Sequence, residues 1–180
     1  SIPAGLIGFF LKDHFENIFS APIIAFSLLI FNGIILILTK KISIKDRKIE
    51  EIGLVRSIFI GFFQAIAILP GISRSGMTIA GGMFSGLAPL ESARFSFLMA
   101  IPVIGGAGLL KAIDVFKGEV PSTLLAPMGI AMVATIIVAI FCLRLLFALV
   151  KKIRIDIFGY YTIAVGIIGI IVIIVWNPFK

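Results

Sequence analysis

Charge is what this chain has least of. Only 14% of its 180 residues are Asp, Glu, Lys or Arg, against about a quarter in an ordinary soluble domain. A solvated protein surface is not built from so few. With 60% hydrophobic residues and a mean hydropathy of +1.20, the chain reads as an integral membrane protein. Its one cysteine, Cys142, lies inside an apolar run, which excludes a disulfide framework and a metal–thiolate site and leaves a buried structural thiol. Its one histidine, His14, stands beside Lys12, Asp13 and Glu16 and reads as a solvated interface residue. No membrane segment holds paired carboxylates, and neither a Ser-His-Asp set nor a metal-ligand cluster occurs. The opening residues Ser1-Ile2-Pro3-Ala4-Gly5 are neither an initiator methionine nor a signal peptide, and the apolar stretch 2–11 is too short to span. The chain reads as one lacking its N-terminal portion.

The net charge of +7 does not point to nucleic acid, because the basic residues fall in the short connections between apolar runs. Four runs are long enough to cross a bilayer: 21–39, 92–110, 124–150 and 157–176. Asn32 interrupts the first and reads as a helix contact. Arg94 opens the second, where it can snorkel or pair with Glu91. Tyr160, Tyr161 and Trp176 mark the ends of the last, as aromatic belts do. The stretch 57–90 differs. Its two apolar arms, 57–69 and 76–90, are each short for a span and flank a Pro-Gly loop, the pattern of discontinuous or re-entrant helices. Connections 40–56 and 151–156 are strongly basic and belong on the cytoplasmic side; 12–20 and 111–123 are nearly neutral. With both ends of 57–90 then on the cytoplasmic side, a re-entrant hairpin fits better than two full crossings.

The loop itself reads Pro70-Gly71-Ile72-Ser73-Arg74-Ser75-Gly76. A charge at bilayer depth costs about 3 kcal/mol on insertion scales, so Arg74 is a functional candidate by default. Pro70 ends the first arm, Gly71 admits backbone angles closed to other residues, Ser73 or Ser75 can cap the second arm, and Thr78 falls in its first turn. A helix start beside an arginine fork binds anions, phosphate above all. Gln64 in the first arm faces the site or serves as helix–helix glue, and Gly82 and Gly86 have the small-xxx-small spacing of a close helix contact. The competing reading has Arg74 pair with an acidic residue of the absent portion or cap carbonyls. Three hydroxyls converging on the same helix start favour anion handling.

Gln64, Ala67, the string Pro70 to Gly76, Thr78-Ile79, Gly82 and Gly86 resemble the second signature of the undecaprenyl-diphosphate phosphatase family, the bacitracin-resistance type. Phe95-Ser96-Phe97-Leu98-Met99-Ala100-Ile101-Pro102 is similar to that family's helix after the hairpin, and the resemblance covers the whole chain. It implies an all-α integral membrane protein of two inverted halves, each a re-entrant hairpin followed by transmembrane helices. Residues 1–56 would end the N-terminal half, and 57–180 would form the C-terminal repeat. The implied activity is hydrolysis of the terminal phosphate of undecaprenyl diphosphate, which recycles the lipid carrier of cell-wall (peptidoglycan) synthesis and confers bacitracin resistance. The site would open to the extracytoplasmic side.

Carried over by position, Arg74 is the essential phosphate ligand and Ser73 a phosphate contact or the nucleophile. Ser75 and Thr78 complete the cradle, with Gly71, Gly76 and Gln64 around it. The family's first signature, with its glutamates, serines and histidine, is not matched, and His14 does not replace it. A divalent cation, Mg²⁺ or Ca²⁺, is implied with ligands from those glutamates, so this chain holds half a site and alone should be nearly inactive. The implied partners are the polyprenyl diphosphate, membrane lipids and the N-terminal half; a homodimer stays open. An anionic-lipid transporter or flippase is the alternative, since inverted repeats with broken helices also build transporters. A purely structural membrane module leaves the Ser-Arg-Ser loop without a role.

Overall fold

The computed structural model describes residues 2–5, 22–41, 46–117, 121–152 and 155–176. His14, the connection 12–20 and most of the stretch 2–11 lie outside the described residues. Six helices carry the architecture: α1 (Pro22–Leu38), α2 (Gly53–Ile66), α3 (Arg74–Phe84), α4 (Pro89–Phe116), α5 (Leu125–Lys152) and α6 (Asp156–Trp176). No strand occurs among the described residues; an isolated bridge joins Arg47 to Leu87. α1, α4, α5 and α6 are long and apolar enough to cross a membrane, whereas α2 and α3 are shorter. Much of their apolar surface faces outward: Leu109 is 70% exposed and Ile130 73%. Such a surface belongs against lipid or protein, and the chain is an integral membrane protein.

The helix boundaries follow local chemistry rather than hydropathy alone. α4 extends beyond the apolar run 92–110 at both ends, because Pro89 occupies the first turn, where its missing N–H costs nothing, and the helix continues past Lys111. α3 ends at Phe84 rather than running on to Leu90. There Gly86, at φ +90°, closes the helix: its N–H reaches Met83 O at 2.9 Å and the Leu87 N–H reaches Gly82 O at 3.0 Å. This pair of bonds is a glycine C-cap. The small-residue contact expected of Gly82 and Gly86 therefore falls to Gly81 and Gly82. Gly81 lies against Phe63 of α2 and Gly82 against Ser92 of α4.

α1 and α6 pack antiparallel along most of their length. Gly33 meets the Gly159 carbonyl and Thr162, Ile37 meets Gly159, and Phe26 and Ile30 meet Gly166. Without a hydrophobic force between helices in lipid, such backbone proximity is what lets dispersion hold them. The two short helices pack beside this pair. Ile52 before α2 and Leu87 after α3 share an apolar cluster with Ile60 and Met99, so the α2–α3 unit begins and ends at the same place. Arg47 clamps that base, with Nη1 donating to Ser85 O at 3.0 Å and its carbonyl accepting from Ala88 N at 3.1 Å. A second cluster, of Leu36, Ile79, Ala80, Ala93, Val150 and Ile155, joins α1, α3, α4 and the α5–α6 corner. Arg94 Nη1 pairs with Glu91 Oε1 at 2.7 Å near the start of α4. Cys142 is exposed on α5 rather than buried, because the helix that carries it has little protein over it.

A β-carbon on Gly33 or Gly159 would stand 2.6 Å from the other residue's carbonyl oxygen. Gly33→Leu and Gly159→Leu should therefore each cost about 1–3 kcal/mol or more, read as a lowered Tm in detergent. Gly129→Ala, with nothing within 4 Å of the added carbon, should leave Tm unchanged or raise it slightly.

Candidate functional site

The break between α2 and α3 is built by a tight turn. Leu69-Pro70-Gly71-Ile72 closes with Ile72 N–H on Leu69 O at 3.3 Å, and Gly71 sits at φ +87°. Proline at the second position and a positive-φ glycine at the third define a type II turn. Gly71 also lies directly on the backbone of Ala25 in α1, where any β-carbon would collide with the Ala25 carbonyl oxygen. The turn is thereby pinned near the first turn of α1, the opposite end from the Arg47 clamp.

Ser73 then caps α3. Its backbone is extended, and its Oγ accepts from Gly76 N–H at 3.1 Å. The hydroxyl hydrogen remains available, because the capping bond uses a lone pair. Ser75 Oγ lies 3.4 Å away. The N–H groups of Arg74 and Ser75 stand in the first turn, ahead of any helical acceptor. Arg74 is the first residue of the helix and half-buried, and among the described residues its guanidinium has neither a hydrogen-bond nor an ion-pair partner.

A cavity of about 290 Å³ opens beside this helix start. Ser73, Ser75, Gly76 and Ile79 of α3 form one wall, and Asn32 and Leu36 of α1 another. Leu146 and Val150 of α5, Ile155 just before α6, and Phe158, Tyr161 and Thr162 of α6 enclose the rest. The structure therefore brings together Ser73, Ser75 and Gly76, with Arg74 adjoining them in the chain, while Gly71 shapes the turn.

Thr78 and Gln64 are placed elsewhere. Thr78, 2% exposed, bonds Arg74 O at 2.9 Å and Ser96 Oγ at 2.6 Å, fastening α3 to α4. Gln64 is buried in α2, outside the cavity lining, with Oε1 unpartnered among the described residues. Thr78 thus supports the site from behind. Sequence reading missed Asn32, whose place in the wall depends on a long-range packing of α1 on α3 that spacing within α1 does not reveal.

The donors at this helix start are the Ser73 and Ser75 hydroxyls and backbone N–H groups, with the Asn32 amide in the facing wall, while Arg74 adjoins them in the chain without being a lining residue. This set suits an oxyanion. Among the described residues no carboxylate, imidazole or thiolate lines the cavity, and no cluster of His, Cys, Asp or Glu could hold a metal ion. A divalent cation, which wants carboxylate oxygens, does not fit these residues.

The chain matches the family described as bacitracin resistance protein BacA over residues 1–168. It is 40% identical over 174 residues to an undecaprenyl-diphosphatase of Desulforapulum autotrophicum, covering 95% of this chain and 61% of that protein. An undecaprenyl-diphosphatase of Thermomicrobium roseum is 36% identical over 182 residues, covering 96% of this chain and 65% of that one. One of Methanothermobacter thermautotrophicus is 38% identical over 170 residues, 93% of each. The chain thus spans less than two-thirds of the length of the first two relatives. The oxyanion donors at the start of α3 lie within the matched region, and the chain belongs to the bacitracin resistance protein BacA family.

Proposed function

We propose that this chain holds the diphosphate of a polyprenyl diphosphate, undecaprenyl diphosphate by the names of its relatives, for hydrolysis of the terminal phosphate. The observation that carries the proposal is the start of α3: an arginine without a partner among the described residues, next to two serines whose hydroxyls and first-turn N–H groups stand at a cavity. In hydrolysis a water oxygen bonds to the terminal phosphorus, the bond to the bridging oxygen breaks, and its electrons stay on the lipid monophosphate. Charge builds on that bridging oxygen. Arg74, forked and permanently charged, offsets it bidentately, and the dipole of α3 adds to the same field. Ser73 donates its free hydrogen to a phosphate oxygen while its lone pair keeps the Gly76 N–H. In this reading Ser73 serves as a phosphate ligand through that hydroxyl.

The α2–α3 unit acts in this reading as a re-entrant hairpin. Its clamped base lies at the cytoplasmic side with 40–56 and 151–156, and its turn reaches toward the extracytoplasmic end of α1, where the lipid diphosphate arrives. It is then half of an inverted-repeat site. Mg²⁺ or Ca²⁺ and the proton acceptor for water would come from residues outside this cavity, and no step here is routed through them. The relatives' names support hydrolysis over transport of an anionic lipid. Recycling of the carrier for peptidoglycan synthesis, and with it bacitracin resistance, follows from the same activity.

The test is phosphate release from undecaprenyl diphosphate by the intact natural protein in detergent. Arg74→Ala should lower kcat/KM by about 100-fold or more, and Arg74→Lys, which keeps the charge but loses the fork, by about 10-fold. Unchanged kcat/KM in a folded Arg74→Ala protein sinks the assignment.

Ser73→Gly keeps most of the capping strength and should retain hydrolysis reduced by about 10- to 100-fold. A phosphoserine trapped in the wild type, together with complete loss in Ser73→Gly, would instead make Ser73 the nucleophile.

A further inference from the structure

Asn32 lies near the middle of α1 and is 0% exposed, unlike Ser27, whose hydroxyl is met by the Ile23 carbonyl. Neither Nδ2 nor Oδ1 has a hydrogen-bond partner among the described residues. A buried carboxamide with both ends unmet is costly, and in a membrane protein no bulk water relieves it. A helix–helix contact, the ordinary reason for an asparagine in a span, would show a bond to the facing helix. Here there is none. Asn32 is instead part of the cavity wall opposite Ser73 and Ser75.

The side chain also converges on the same point as the helix cap. A β-carbon on Gly76 would stand 3.1 Å from Ser73 Oγ and 3.5 Å from Asn32 Oδ1. Gly76 is therefore a gap in the surface of α3 into which two polar groups look, one from α3 and one from α1. The absence of a side chain there keeps the two in reach of a common guest. The amide end and the oxygen end of a carboxamide exchange by a half-turn about the last torsion, so the donor serves that point as readily as the acceptor.

We propose that Asn32 is a further phosphate-contacting residue, donating from Nδ2 to an oxygen of the phosphate group bound at the start of α3, with Gly76 keeping the space for that contact. This rests on the anion-site reading above and extends it to a second helix. It assigns the long-range contact between α1 and α3 a role in binding: Asn32 closes the site from the side that Arg74, Ser73 and Ser75 leave open. Oδ1 then accepts from a protonated phosphate oxygen or from a water bound with it.

The experiment compares wild type, Asn32→Asp, Asn32→Leu and Arg74→Ala in the intact natural protein. It reads hydrolysis of undecaprenyl diphosphate and, separately, the rise of Tm in detergent with added inorganic pyrophosphate. Asn32→Leu removes an unsatisfied buried amide, so its ligand-free Tm should be unchanged or higher, while kcat/KM and pyrophosphate affinity fall by about 10- to 100-fold. Asn32→Asp sets a carboxylate against the anion and should lose more. A wild type that hydrolyses substrate, with kcat/KM and pyrophosphate response both unaltered in Asn32→Leu, overturns this inference and leaves the proposed function standing. A wild type without hydrolysis whose pyrophosphate response is lost in Arg74→Ala and Asn32→Leu sinks the enzyme reading and keeps the contact. A wild type with no pyrophosphate response, or an Asn32→Leu protein with a lowered ligand-free Tm and normal kcat/KM, marks Asn32 as structural and overturns the inference.

Discussion

A helix cannot be interrupted inside a membrane protein unless something replaces the backbone hydrogen bonds that the interruption removes, since lipid supplies none. The break between α2 and α3 is where that constraint acts on this chain. Each of its parts answers one piece of the demand. The Pro70-Gly71 turn closes on itself through Ile72 N–H, and the Ser73 side chain takes up Gly76 N–H. Thr78 spends its hydroxyl on the Arg74 carbonyl and on Ser96. What stays unsatisfied among the described residues after this, the first N–H groups of α3 and the Arg74 guanidinium, is what a phosphate would satisfy. The site is the remainder of an otherwise closed account.

The rest of the fold follows from holding that break in place. Gly71 can lie on the Ala25 backbone only because it has no side chain, and α1 can be there only because α6 grips it through Gly33, Gly159 and Gly166. The turn is therefore fixed by a chain of close backbone contacts running from α6 through α1, while the base of the α2–α3 unit is fixed by Arg47 at the other end. Between them the short helices have little freedom to slide. That rigidity has chemical value, because a charge-stabilising site works through donors already aimed before the charge develops.

How much of this the sequence disclosed depends on the range of the interaction. The Ser73 cap, the Pro-Gly turn and the charge on Arg74 are local, and their residue types and spacing announce them. The four long helices are legible from hydropathy, with errors of a few residues where a helix continues past its apolar stretch, as α4 does beyond Lys111. Thr78 was readable as part of the first turn, but not as the fastener to Ser96, eighteen positions along the chain and on another helix. Gly86 looked like half of a packing motif and turned out to be a helix terminator, because the same residue type serves close approach and positive φ. Cys142 was expected inside on hydrophobicity, yet in a membrane protein hydrophobicity does not distinguish the lipid face from the core.

Asn32 is the clearest case of what sequence alone withholds. Within α1 it is a polar residue in an apolar run, and nothing in its neighbours separates a glue residue from a ligand. The distinction lies in what the side chain fails to touch. A glue residue must be satisfied by the helix it faces, whereas Asn32 faces α3 across a glycine and is satisfied by no described residue. Arg74, half-buried at the start of α3, is likewise without a side-chain partner among the described residues. Two polar groups without described partners, one of them fully buried in the cavity wall, would be a penalty in a purely structural protein. A shared anionic guest relieves both at once, and that economy is the physical reason for reading the two residues as one site.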